Sequence, residues 1–190
     1  AAVAESMVTA ALDLAARAGI SAGSAGVDLC CCNGAGMRAL VRFCNVSSMV
    51  GVDATDSVVE RGRRRTTEEG LADRVRFVLA DVCDSGLPAA GADFVWAEDA
   101  WCYVKDKARL IREAARVVRS GGTIAFTDWV EGPAGLTSAE SDRFLAFMKF
   151  PTLESVPGYS RLLAQSGCRV EAAEDTGRFP AYMDLYLSML

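Results

Sequence analysis

The chain has no histidine among its 190 residues. That removes the side chain most often used as a general base, proton shuttle or neutral metal ligand near neutral pH. Its seven cysteines are an odd number, and no two of them form a C-x-x-C pair. A disulfide scaffold and the usual zinc sites are thereby excluded, so no metal is expected and a reducing, cytoplasmic compartment is. No apolar run reaches the roughly 18 residues that a membrane-spanning helix needs. A basic excess is missing too. The formal charge is −5, whereas a nucleic-acid partner would want a basic face. The one basic cluster, Arg61-Gly62-Arg63-Arg64-Arg65, lies among charged residues of a predicted helix and reads as a solvated surface. The chain opens Ala-Ala-Val-Ala-Glu, without a methionine or a basic leader, so a trimmed fragment lacking a signal peptide is expected. There is no internal repeat and no low-complexity tract.

What is present is a 51% hydrophobic composition, enough for one core. A single domain over residues 1–190 is therefore expected, with an N-terminal helix and linker over 1–25 and a substrate-covering helical segment over 131–166. In the helix at 4–18, Met7, Val8, Ala11, Leu12 and Ala15 share one side. Strands are predicted at 27–32, 49–53, 75–80, 93–97, 123–128 and 168–175. Helices are predicted from Met37, then at 55–69, 106–119, 138–149, 159–166 and 181–190. Strands alternating with helices give an α/β fold, a Rossmann-like doubly wound and mostly parallel sheet with helices on both faces. No final antiparallel strand can be found after 168–175, so one sheet edge is expected to be exposed or covered by a partner chain, as in a homo-oligomer.

The organising stretch is Val27-Asp28-Leu29-Cys30-Cys31-Cys32-Asn33-Gly34-Ala35-Gly36: a strand, a glycine turn, and then helix formers. Such a turn lets backbone approach a ligand, and the following helix presents its free N–H groups there. In the strand, Cys30 and Cys32 should share one side and Cys31 the other, as core packing rather than metal or redox chemistry. Asp28, an acid inside a strand, is expected to accept backbone N–H bonds that hold the turn open. Met49-Val50-Gly51-Val52-Asp53 reads as a second strand ending in an acid, where open α/β sheets grip ribose hydroxyls. Gly34-x-Gly36-x-x-Ala39 followed by Asp53 also fits the dinucleotide fingerprint, which keeps a nicotinamide-dependent dehydrogenase open.

Five segments in order resemble the class I S-adenosylmethionine-dependent methyltransferases. Val27-Asp28-Leu29-x-x-x-x-Gly34 is similar to motif I, with Cys30 and Cys32 standing in the first two glycine positions. Gly51-Val52-Asp53 resembles the ribose-binding motif, and Arg74 to Asp81 the segment whose acid reads the adenine amine. Phe94-Val95-Trp96 with Glu98-Asp99-Ala100 resembles the strand-four motif, and Arg116-Val117-Val118-Arg119-Ser120-Gly121-Gly122 the approach to strand five. Within the family, Trp96 to Tyr103 and Thr127-Asp128-Trp129 look most like sarcosine and dimethylglycine N-methyltransferases, while tocopherol, quinone and sterol methyltransferases share part of the pattern. The resemblance implies S-adenosylmethionine as cofactor, held by Asp28, Cys30, Gly34, Asp53, Ala54, Asp81, Val82 and Glu98. Asp28 would act behind the turn or directly on the methionine ammonium.

Methyl transfer from a sulfonium asks the protein mainly for alignment and exclusion of water, which suits a chain without histidine. Glu98 and Tyr103 are the candidate catalytic residues, and Trp101, Tyr103 and Trp129 the candidate acceptor pocket at the ends of strands four and five. Aromatic faces and a carboxylate favour a small amine as acceptor. A prenylated quinol, tocopherol-like or sterol acceptor is the alternative, with a channel walled by Phe144, Phe147 and Met148. A non-catalytic binding module, its cofactor loop altered by Cys30 and Cys32, also stays open.

Overall fold

The computed structural model describes residues 2–179, with side chains from residue 8 onward. The expected helix at 181–190 lies outside the described residues, and Met7 outside the described side chains. In chain order the elements are α1 (Ala2–Arg17), β1 (Ala25–Leu29), α2 (Ala35–Phe43), β2 (Ser48–Asp53), α3 (Asp56–Glu68), β3 (Val75–Leu79) and β4 (Ala92–Glu98). A 3-10 turn (Trp101–Tyr103) follows, then α4 (Lys107–Val117), β5 (Val118–Thr127), β6 (Val130–Glu131), α5 (Ser138–Met148), β7 (Glu154–Ser155) and α6 (Val156–Gln165). The main sheet has the order β3-β2-β1-β4-β5, and every neighbouring pair is parallel. The chain steps outward from β1 through β2 to β3, then returns to the other side of β1 for β4. That reversal opens a crevice at the strand ends between β1 and β4.

Strand periodicity sorts the core into two layers. On one face Phe94 and Trp96 meet Met37, Leu40 and Val41 of α2 and Ala11 and Ala15 of α1. On the other, Val95 and Ala97 meet Leu110, Ile111 and Ala114 of α4 and Tyr159 of α6. Met37, Leu40 and Val41 are fully buried, a gain of roughly 1.5–3 kcal/mol for each such side chain. α4 is capped by Asp106, whose side chain accepts the Arg109 backbone N–H at 2.9 Å. It ends two residues before the expected Arg119. Val118 leaves the helix to pair opposite Ala92, because a β-branched residue entering a ladder gains a strand partner.

Two expectations are corrected here. Residues 168–175 form no strand: they run as irregular, largely exposed chain. A segment with alternating apolar residues still needs a neighbour to complete its hydrogen bonds, and none is offered. The far edge of β5 is accordingly unpaired with any strand among the described residues. Residues 168–179 lie instead toward α1, tied by the ion pairs Arg17–Glu174 and Arg178–Asp13. The second correction concerns Cys30, Cys31 and Cys32, which stand beyond β1 in the turn itself.

Candidate functional site

The turn after β1 is held by its own backbone. The Cys30 and Cys31 N–H groups donate to Val52 O at 2.9 and 3.1 Å, and Gly34 N–H donates to Cys31 O at 2.8 Å. Cys32 N–H donates to Asp53 Oδ2 at 2.9 Å, while Thr55 N–H donates to Asp53 Oδ1 at the same distance. Asp53 thus fixes the β1 turn against the β2 turn, with its carboxylate at the end of β2. Cys30 and Cys32 have φ of 75° and 49°, the left-handed region that disfavours side chains. They do not share a buried strand face: Cys30 is half-buried, Cys31 buried and Cys32 exposed. Gly34, at φ 74°, starts α2, and a Cβ there would come within 2.5 Å of the Phe77 ring.

Three carboxylates gather under this turn. Asp28 is buried at 5% exposure, and its Oδ1 has no hydrogen-bond partner. The expectation that it accepts backbone N–H groups to brace the turn is therefore corrected: those amides are taken by Val52 and Asp53. Burial first, then the charges of Glu98 and Asp53, push the Asp28 carboxyl well above the usual range. Glu98 is also pushed up, to about 7, chiefly by burial. Its Oε1 accepts the Trp96 indole N–H at 2.9 Å and stands 3.0 Å from where a Cβ on Gly36 would be. A cation placed here would meet two acids that lack a positive partner.

Toward β3, Asp81 Oδ1 accepts the Cys83 N–H at 2.9 Å, closing a turn around Val82, and Val82 and Ala54, the latter just past β2, border the same crevice. At the other end, over β4 and β5, the aromatic residues part company. Trp101 is fully buried. Its ring lies 4.1 Å from Phe126, and its indole N–H donates to Leu29 O at 3.0 Å. It belongs to the wall behind the pocket rather than its surface, because so large a ring fills the space between sheet and α6. Tyr103 is exposed and meets Phe150 edge-on at 5.0 Å. Trp129 packs with Phe144, Phe150 and Phe179, its ring centroid 6.4, 6.2 and 5.6 Å from theirs.

Asp128 is a residue the spacing did not single out for the site. Its carboxylate accepts the Cys102 N–H at 2.9 Å and the Tyr159 hydroxyl at 2.6 Å, and burial raises its pKa. The sequence signal was present in the Thr127-Asp128-Trp129 segment at a strand end. Turn, acids and aromatics open onto one broad cavity of about 2790 Å³, bordered by Cys30, Asp53, Glu98, Tyr103, Asp128 and Trp129 among others. Among the described residues no three acids or cysteines are gathered as metal ligands. No described helix is long and apolar enough to cross a membrane.

The methyltransferase 27-O-demethylrifamycin SV methyltransferase of Amycolatopsis mediterranei is 32% identical over 87% of this chain and 61% of its own length. A sarcosine/dimethylglycine N-methyltransferase of Halorhodospira halochloris is 34% identical over 44% of this chain and 31% of its own. The chain thus spans less than two thirds of these curated relatives. In fold it superposes on Haemonchus contortus phosphoethanolamine N-methyltransferase 2, solved with S-adenosyl-L-methionine, with a TM-score of 0.82 and 19% identity over 95% of this chain and 41% of that one. The match to the family described as methyltransferase domain runs over residues 27–126, more than half of the chain, and the chain belongs to that family.

Proposed function

We propose that this chain binds S-adenosylmethionine and directs its methyl group to a small-molecule acceptor with a bulky apolar body. The residues present suit that cofactor. Asp53 offers a carboxylate for ribose hydroxyls, Asp81 and Val82 border the adenine side, and the buried, unpartnered Asp28 with Glu98 suits a ligand that carries positive charge. When bound, the cofactor supplies an electrophilic methyl on a sulfonium. The protein's part is then to align the acceptor and keep water out. Glu98, held near neutrality by burial, can take a proton from an acceptor hydroxyl or amine. Tyr103 stands at the cavity mouth beside Phe150.

One observation carries the choice of acceptor. The cavity wall beyond β5 is a continuous aromatic cluster of Trp129, Phe144, Phe150 and Phe179, while α5 buries none of its residues. Apolar surface of that extent is stabilised by an apolar partner. A small amine remains the second reading, supported by the carboxylates of Glu98 and Asp128 and by the faces of Tyr103 and Trp129. The segment 131–166 covers the acceptor in either case, within one domain, and seven free thiols suit a reducing, cytoplasmic setting.

Calorimetric titration with S-adenosylmethionine tests the cofactor, and radiolabelled methyl transfer to a panel of hydroxylated macrocycles, sterols, quinols and small amines tests the acceptor. Asp53→Ala is expected to weaken cofactor binding by about 1.5–3 kcal/mol, through lost charge-assisted bonds. Unchanged affinity in that variant removes the assignment. Binding without transfer to any acceptor would favour the non-catalytic module.

A further inference from the structure

We infer that Lys107 sets the charge of the acceptor: fixed beneath the β5 side of the cavity, its ammonium balances Asp128, so that this half takes an apolar molecule without net charge rather than a cation. The inference deepens the reading of an apolar acceptor above and rests on it.

Lys107 is costly where it stands. It is the first residue of α4, at the end of the helix that is itself positive. It is buried at 7% exposure, which penalises an ammonium further. Its hydrogen bonds go to neutral oxygens: Val104 O at 2.5 Å, Thr152 Oγ1 at 3.2 Å and Thr152 O at 3.5 Å. They clasp the turn that carries Tyr103 to the chain just past Phe150, a task that needs donors but no charge. Three acceptors use all three ammonium donors, so none is left to hold a ligand. What Lys107 adds beyond a clasp is its field.

That field falls on Asp128. Burial lowers the Lys107 pKa, and Asp128 leads the groups that oppose this, ahead of Cys102, Glu154 and Cys30. Asp128 follows β5 and borders the cavity. Burial raises its pKa, while the Tyr159 hydroxyl, the Cys102 amide and Lys107 favour its charged form. The Tyr159 hydroxyl and Cys102 thiol are themselves pushed up by burial and stay uncharged. Glu154 is half-buried and turned to the Ser155 amide and hydroxyl. Asp128 and Lys107 are thus an acid and a cation held opposite each other under one wall. At the other end of the crevice, no cation is among the charges that act on Asp28 or Glu98. One end suits positive charge; the other is already balanced.

The test sets two fluorescent probes of one skeleton against each other, neutral N-phenylnaphthylamine and its negatively charged counterpart, anilinonaphthalene sulfonate. Titrations are run at about pH 8, between the ordinary ranges of the two groups. Lys107→Met should weaken the sulfonate relative to the neutral probe by about fivefold or more, and Asp128→Asn should strengthen it by as much. The double variant Lys107→Met/Asp128→Asn should return the ratio close to wild type. A hydrogen-bonded clasp alone would loosen both probes together and leave the ratio as it was, and that result overturns the inference. Asp128→Asn decides by itself if Lys107→Met does not fold. If the neutral probe does not bind the wild type, the apolar acceptor reading falls and takes this inference with it.

Discussion

Around the ends of β1 and β2 the backbone is fastened strand to strand, with Asp53 receiving one amide from each of two turns and Val52 O receiving two more, those of Cys30 and Cys31. Beyond β5 the same molecule is built loosely. β6 and β7 are two residues each, α5 buries nothing, and Phe147 stands 82% exposed. One half of the crevice is made of hydrogen bonds with fixed geometry; the other is made of aromatic surface that can repack. The difference teaches a division of labour. A ligand with defined hydroxyls and a base needs donors and acceptors at set positions, whereas an apolar acceptor needs area. Elements with few buried contacts also open most readily, so the β5 side is where the molecule is expected to move.

Substitutions can break that contrast, the largest effect first. Trp101→Ala should cost about 3–5 kcal/mol in urea unfolding, as for a large ring removed from a core. A cost under about 1 kcal/mol would return Trp101 to the pocket surface. Gly51→Ala places a Cβ 2.5 Å from Cys31 Sγ and Met37 Cε, and overpacking of that kind costs about 1–3 kcal/mol. Gly132→Ala, on the loose side, has open space around it and should move the midpoint little.

Glu98 gives a pH signature. Its folded pKa of about 7 lies above the ordinary 4.5, so the folded state holds a proton that the unfolded chain gives up. Stability of the ligand-free protein is full below about pH 4.5 and declines as pH rises toward 7, by on the order of 1–3 kcal/mol. Glu98→Gln should flatten that slope in chemical denaturation at successive pH values; an unchanged slope would remove Glu98 as its source. At the small end, Phe147→Ser should alter stability by no more than about 0.5 kcal/mol.

Much of this architecture could be read from residues alone. The strands expected at 75–80 and 93–97, and the helix expected at 106–119, depend only on local period, and the fold has β3, β4 and α4 there within two residues at each end. Thr137 and Glu140 form a reciprocal capping box at the start of α5, a signal the sequence carries at the head of the predicted 138–149 helix. What escaped depended on distant partners. Residues 168–175 alternate like a strand, but pairing is decided by a neighbour that sequence period cannot supply. Trp101 looks like a ligand platform because it sits at a strand end; only α6 and Phe126 turn it into core. Cys30 and Cys32 prolong an apolar run, so the turn begins three residues earlier than composition suggests. Asp28 was expected to find backbone donors, and they were already committed to Val52 and Asp53.

The Trp96–Glu98 hydrogen bond gives the molecule an optical readout of its own. Indole emission responds to the electric field along the ring, and here a carboxylate whose charge changes near neutrality accepts the indole N–H at 2.9 Å. A titration followed by the fluorescence of Trp96, with Trp101 and Trp129 replaced by phenylalanine, should trace an inflection near pH 7. Arrival of a cationic ligand should draw that inflection downward, reporting occupancy of the crevice without label, substrate or turnover.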